Sequence, residues 1–446
     1  MFTLFGRIKA ISDTSATLGF GMKPQVRGAE VKKSEPYSRY GEDFFTEGNK
    51  ADEVLEQSRV YLDFASATPV LPEVAAAMAP YQSEIFGNPS AIHSEGVAAR
   101  LAVTDARVQV ARTLGVQPSG ITFTSGGTES NNLAIMGVAL AARRRGVPYA
   151  DMEIITTAIE HPATLRTVEH LAFEGVTVHY VPVNTVGQVN LKDFASLLSP
   201  KTVLVTVVYV NSEIGTIQDL GAIARVIKKH NHDTGATTLL HTDAAQAPLW
   251  LPCDLARHGV DLLSLDAGKF CGPKGVGVLA RVKGIELQTI AHGGGQEAGL
   301  RPGTEPVALV VGLATALTLA QTHWQARSEN VTLVRDYFIE LLSKAIPSVI
   351  VNGPLGRDRV ANNVNISIPG LDSEFAVITL DVAGIACSTK SACSSAGGGE
   401  STVVRAISDD KARASSTLRF TLAPVTTQAE IRQTIDVLLQ HVRATI

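Results

Sequence analysis

From Val60 onward, short apolar runs alternate with longer segments of helical spacing, and this alternation constrains the fold more than any other feature of the chain. An apolar run too short for a helix, followed by a helical pattern, is the mark of a βα unit. Repeated βα units lay successive strands side by side in parallel. The runs at 121–124, 154–157, 176–181, 203–210, 238–241, 262–265 and 276–280 read as strands, the second to fourth of them buried. The stretches 128–142 and 221–230 between them read as helices. The expected class is α/β with a mainly parallel sheet. After about Thr322 the pattern changes to a helix over 329–345, strands near Val349, Val364 and Leu418, and an amphipathic helix over 427–442. The chain therefore divides into an extension at 1–58, a large lobe at 75–322, and a smaller α+β lobe built from 59–74 and 323–446.

Composition narrows the classes of partner. A chain of 446 residues with 45% hydrophobic content can fill a large core, and a net charge of −4 shows no bias toward nucleic acid or membranes. The most apolar stretch, 307–319, is interrupted by Gly and Thr and reads as a buried helix rather than a span. Four cysteines, Cys253, Cys271, Cys387 and Cys393, make no disulfide framework and no paired zinc motif, so no metal site is expected. A reducing, cytoplasmic setting fits. The first 29 residues carry Arg7, Lys9, Lys23 and Arg27 against Asp13, which slightly resembles an organellar targeting segment. A plain extension is the stronger reading of 1–58.

Chemistry concentrates in two runs, HTDAAQ at 241–246 and AGKFCGPKG at 267–275. A lysine amine such as Lys269 can hold an aldehyde cofactor covalently, and a carboxylate such as Asp243 can keep a pyridine nitrogen protonated. Together they suit pyridoxal phosphate. The run TSGGTE at 124–129 reads as a strand, a glycine turn and a helix start. Gly127 and Thr128 there offer backbone N–H groups, a hydroxyl and a positive dipole end to a phosphate.

The chain resembles the cysteine desulfurases, pyridoxal phosphate enzymes of the class V aminotransferase group. The resemblance runs from about Tyr61 to Val442 through YLDFASATP, GNPSAIH, TSGGTESNN, EHPA, NSEIGTIQ, HTDAAQ, KFCGPKG, GGGQEAGLRPGTE, SACSS and LRFTL. It implies the pyridoxal-phosphate fold type I. It implies that Lys269 holds the cofactor and moves the substrate α-proton, that Asp243 pairs with the ring nitrogen, and that Asn211 and Gln246 bond the cofactor's O3′ side. His161 would stack on the ring and assist proton transfer. Gly127 and Thr128, with Thr304 from a neighbouring subunit, would hold the phosphate, which implies a homodimer. Arg419 would grip the α-carboxylate of L-cysteine.

Cys393 lies in a run of Ser, Ala, Cys and Gly that has almost no apolar bulk to bury itself. The resemblance, to the iron–sulfur-assembly branch in particular, makes it the nucleophile that takes sulfur as a persulfide for an acceptor or scaffold protein. Cys271 reads as a packing residue, and Cys253 and Cys387 as structural.

The chain also departs from the family pattern. Asp266 and Gly268 stand where the family has Ser and His on the phosphate, Ala65-Ser66-Ala67 replaces a polar residue followed by Ala-Thr, and Ala423-Pro424 replaces Gly-Arg. Unit charges at about 4 Å and an effective dielectric of about 20 repel by about 4 kcal/mol. Asp266 is therefore expected to turn away, to be protonated, or to weaken cofactor binding. Two other readings stand beside the first: a different class V enzyme, such as a selenocysteine lyase or an aminotransferase, and a degenerate homologue without activity.

Overall fold

The computed structural model describes residues 59–389 and 399–446. The expected extension at 1–58 and the segment bearing Cys393 lie outside them. Twelve strands are described: Val60–Tyr61 (β1), Ile121–Thr124 (β2), Glu153–Thr157 (β3), Thr177–Val181 (β4), Thr202–Thr206 (β5), Leu239–Asp243 (β6), Leu262–Asp266 (β7), Gly277–Arg281 (β8), Ile350–Val351 (β9), Asn363–Ser367 (β10), Ile385–Ala386 (β11) and Thr417–Thr421 (β12). The main sheet runs β2-β8-β7-β6-β5-β3-β4. Strands β7, β6, β5, β3 and β4 are parallel, whereas β8 is antiparallel to both of its neighbours. Parallel pairing needs a crossover of a dozen or more residues, usually helical. The stretch 267–276 carries only a single 3₁₀ turn, so the chain after Lys269 must come straight back. The class is α/β with a mainly parallel sheet, as the alternation predicts.

Two strands differ from expectation. The run 176–181 is apolar at several positions, but β4 is an edge strand and Tyr180 is 45% exposed. The run 203–210 is buried from Leu204 onward, yet β5 ends at Thr206. Val207 and Tyr209 still donate to β6, at His241 O and Asp243 O, while the N–H of Val208 turns to the Glu160 carboxyl at 3.0 Å.

The helix Gly127–Arg144 lies on the sheet through Leu133, Ala134, Ile135, Val138 and Ala142. Burying each of the larger side chains contributes roughly 1.5–3 kcal/mol. Its first turn can sit tight on β8 because Gly277 has no side chain: a Cβ there would lie 2.5 Å from the carbonyl carbon of Gly126. The 307–319 stretch is a helix, Val307–Thr322, with Val310, Leu313, Ala314 and Leu317 in the core. Among the described residues no single helix is long and apolar enough to cross a membrane.

Toward the C-terminus an antiparallel sheet, β12-β10-β9, carries Arg419 opposite Asn365. Strand β1 pairs in parallel with β11, and Asp63 bridges to Thr421. The final helix, Gln428–Thr445, starts with a full capping box between Thr427 and Glu430, of the kind worth about 1 kcal/mol.

Candidate active site

The carboxyl ends of parallel strands are where α/β sheets open to ligands. Here β6 ends on Asp243, paired with Ser264 of β7, and β7 ends on Asp266 just before the turn Ala267–Lys269. Asp243, Asp266 and Lys269 line one cavity together with His161, Asn211, Gln246 and Arg419. Asp243 is buried and held at both oxygens: Asn131 Nδ2 donates to Oδ2 at 2.7 Å and Ala245 N to Oδ1 at 3.0 Å. Behind it, His241 is sealed between Thr206 and Ser264, and burial pushes its pKa down to about 3, so the ring is neutral. Lys269 Nζ donates to the Ser66 carbonyl at 2.6 Å.

His161 caps the helix Pro162–Phe173, its Nδ1 accepting from Ala163 N at 3.1 Å. Nδ1 as acceptor places the ring proton on Nε2. Burial is the main cause holding its pKa below the usual histidine value; Lys269 adds to it and Asp243 opposes it. Asn211 is more committed than the sequence suggests. Its Oδ1 accepts from Glu213 N and Ile214 N, both at 2.9 Å, and Nδ2 donates to Ile159 O at 2.8 Å. One amide N–H remains for a ligand. Gln246 reaches across to Ala65 O at 3.0 Å.

Glu160 is fully enclosed beside this cavity. Oε1 accepts from Thr157 Oγ1 at 2.7 Å and Val208 N at 3.0 Å, and Oε2 has no partner among the described residues. Burial first, with the Asp243 charge adding, raises its pKa to about 8 against two bonds that lower it. In the unfolded chain the group titrates near 4.5. Below that value both states hold the proton and Glu160 costs nothing; between there and about 8 only the unfolded chain releases it, so stability falls as pH rises and levels off above 8. Glu160→Gln keeps the accepting oxygen without the titration. Its stability gain over the parent should grow from pH 5.5 to pH 8 by on the order of 3 kcal/mol, read as a growing difference in Tm. An equal gain at both pH values would show that the carboxyl is ionised in the fold.

Arg419 is 1% exposed. Nη2 donates to Asp63 Oδ1 at 2.9 Å and to Ser66 Oγ at 2.8 Å, and Nη1 to Ser212 O at 3.1 Å. Nε has no partner among the described residues. Ser66 thus ties the guanidinium, through its hydroxyl, to the Lys269 amine, through its carbonyl.

An aminotransferase class-V family model matches residues 60–434. A cysteine desulfurase IscS of Dictyoglomus turgidum is 40% identical over 379 residues, covering 85% of this chain and 93% of that protein. The chain belongs to the cysteine desulfurases of the class-V aminotransferase family. A human cysteine desulfurase is 37% identical over 86% of this chain and 82% of its own. A solved NifS-like protein superposes with a TM-score of 0.79 at 33% identity, covering 86% of this chain and all of that one.

Members of this family depend on pyridoxal phosphate, and the ring end of this desulfurase's cavity fits it. A primary amine, a buried two-point-held carboxylate and a neutral imidazole all face one space. The phosphate end fits in part. Gly127 and Thr128 line the cavity at the start of their helix. Asp266 does not turn away: Oδ2 accepts from Gly127 N at 3.3 Å and Oδ1 from Gly268 N at 2.9 Å. Gly268 is not in the left-handed region, and a side chain there would instead crowd Asp266 Oδ1 at 3.2 Å. Thr304 is exposed and does not line its own chain's cavity.

Three cysteines are described. Cys253 and Cys271 are buried and Cys387 is half-buried. Burial is the first cause pushing all three thiols up, Cys271 to about 12. Cys271 also sits at φ 64°, a strained backbone for a non-glycine residue, held by Cys271 N donating to Thr68 Oγ1 at 2.7 Å. Cys393 lies outside the described residues. Sequence reasoning missed Asn131, Glu160 and Ser66 as members of the site. The first two stand inside TSGGTESNN and EHPA, and Ser66 inside YLDFASATP, but only the fold shows what they touch.

Proposed function

We propose that this chain converts L-cysteine to L-alanine at the cavity between Asp243 and Lys269 and moves the sulfur to Cys393. The observation that carries this reading is Arg419. A buried guanidinium in a cavity shared with an amine and a ring-binding carboxylate is built for a small amino acid. Pyridoxal phosphate, when bound, supplies an electron sink for charge that develops at the substrate α-carbon. Asp243, fixed by Asn131 and Ala245, receives the ring N–H and keeps it protonated. Gln246 and the remaining amide N–H of Asn211 face the ring's oxygen side. Lys269 Nζ holds the cofactor and afterwards carries the α-proton, with Ser66 O as its resting acceptor. His161 would stack on the ring, and its neutral imidazole, protonated on Nε2, offers a hydrogen-bond donor without adding charge to the cavity. Arg419 fixes the α-carboxylate and so the face presented to Lys269.

The Cys393 thiolate attacks the substrate sulfur. The substrate C–S bond breaks, an S–S bond forms on Cys393, and the remaining carbon skeleton leaves as alanine after proton uptake. Support for its reach comes from the flanks. Ser388 pairs with the Arg419 backbone, Ser401 Oγ donates to Glu213 Oε2 at 2.6 Å, and Val403 lines the cavity. Both ends of the run that contains Cys393 are therefore anchored at the site, and an extended chain spans up to roughly 3.3–3.6 Å per residue. The pairing of β1 with β11 supports grouping 59–74 with 323–446 as the lobe that bears this cysteine. The exposure of Thr304 supports its use by a second copy in a homodimer, and a sulfur-acceptor or scaffold protein would take the product sulfur.

The test is to purify the full chain, record its visible spectrum before and after L-cysteine, and assay alanine and sulfide. A cofactor band that changes on addition, with alanine in step with sulfide under a reductant, supports the reading. A band with amino-group transfer but no sulfide favours an aminotransferase, and no band at all favours a degenerate homologue.

A further inference from the structure

The start of the helix Gly127–Arg144 already holds an anion supplied by the chain itself. Asp266 Oδ2 accepts from Gly127 N, a backbone donor that a phosphate at this helix start would use, while Oδ1 accepts from Gly268 N within its own turn. The fit around it is close. A Cβ on Gly127 would touch the Asp266 Cβ at 3.3 Å, and one on Gly126 would lie 3.5 Å from Oδ2. Asp266 is also a wall of the cavity, beside Thr128, Lys269 and His161. Among the described residues neither nearby lysine forms an ion pair with it: Lys269 donates to Ser66 O, and Lys274 Nζ bonds to Thr68 O.

We propose that Asp266 is the residue that sets how strongly this site prefers phosphorylated over unphosphorylated pyridoxal. This rests on the reading of the cavity as a pyridoxal phosphate site. The ring and aldehyde of the two compounds make the same demands on Asp243 and Lys269, so their difference in affinity reports the phosphate end alone. A phosphate that seats at Gly127 and Thr128 either displaces Asp266 from its N–H partners or lies beside a like charge. Both cases subtract from the phosphate's advantage and leave the ring untouched. The preference is therefore compressed in this chain, and removing the carboxylate restores it.

The experiment uses the full chain freed of cofactor by dialysis. Pyridoxal phosphate and pyridoxal are titrated separately, and bound aldehyde is followed by its visible absorption. The readout is the ratio of the two dissociation constants in the parent, in Asp266→Asn and in Asp266→Ser. Both variants should bind pyridoxal phosphate roughly 10- to 100-fold more tightly, as expected for regained charge-assisted bonds, with pyridoxal affinity changed less than about 3-fold. A ratio unchanged from the parent overturns the proposal. So does a parallel change for both compounds, which is what a merely structural role would produce. If the variants do not fold, the parent alone decides: a preference for the phosphorylated compound below about 100-fold supports the compression, and one above it overturns it. Failure of the parent to bind either aldehyde through Lys269 overturns the functional reading itself, and the proposal with it.

Discussion

Lys269→Ala is expected to abolish alanine formation from L-cysteine and to remove the visible band of covalently held cofactor. Two roles vanish together. The amine that holds the aldehyde is gone, and so is the group that carries the α-proton; a positioned acid–base group alone is worth roughly 10²–10⁴-fold in rate. The fold should tolerate the change, because the Lys269 side chain makes one hydrogen bond, to the Ser66 carbonyl, at the edge of an open cavity. Lys274 is the matched control in the same short run. It is exposed, its ammonium bonds to the Thr68 carbonyl, and partial desolvation is the main cause lowering its pKa. It does not line the cavity, so Lys274→Ala should keep the band. The measurement is absorption and alanine release for both variants, and a band lost in Lys274→Ala but kept in Lys269→Ala would reverse the assignment.

Cys393→Ser is expected to keep the cofactor and still respond spectrally to L-cysteine, while persulfide formation falls by several orders of magnitude, as loss of a covalent nucleophile commonly does. A serine hydroxyl is a poor nucleophile toward sulfur at neutral pH. The three described thiols offer no substitute, since each is held protonated by burial. Mass analysis of peptides after L-cysteine should place one added sulfur on Cys393 in the parent and none in the variant. Sulfur found on Cys271 instead would sink the assignment, and with it the argument that a strained, buried thiol is inert.

The order of strands and helices was legible because periods of two and 3.6 residues leave different apolar patterns. Direction was not. An apolar run at 276–280 announces a strand, but only the short 267–276 link dictates that β8 runs backward. Lys269, Asp243 and Arg419 were legible because their chemistry is scarce in apolar surroundings and because their motifs follow one another in a fixed order along the chain. Asn131 was hidden, since its bond to Asp243 joins residues 112 apart in sequence. Glu160 was hidden for a different reason: a carboxyl's charge depends on its enclosure, which no local pattern encodes. For Asp266 the sequence raised the right conflict and left three outcomes open. The fold removes the first of them, because the carboxylate faces the helix start.

The burial of Cys253 and Cys271 has a use apart from catalysis. Each can meet an alkylating reagent only when the fold around it opens, so their labelling rates report opening free energies at two separate places, with the half-buried Cys387 as the faster reference. Cys253 reads the helix Val307–Thr322 through its backbone bond to Gln321, and Cys271 reads the turn after Lys269. The chain thus carries its own set of local unfolding clocks, which can be read residue by residue without introducing a single probe.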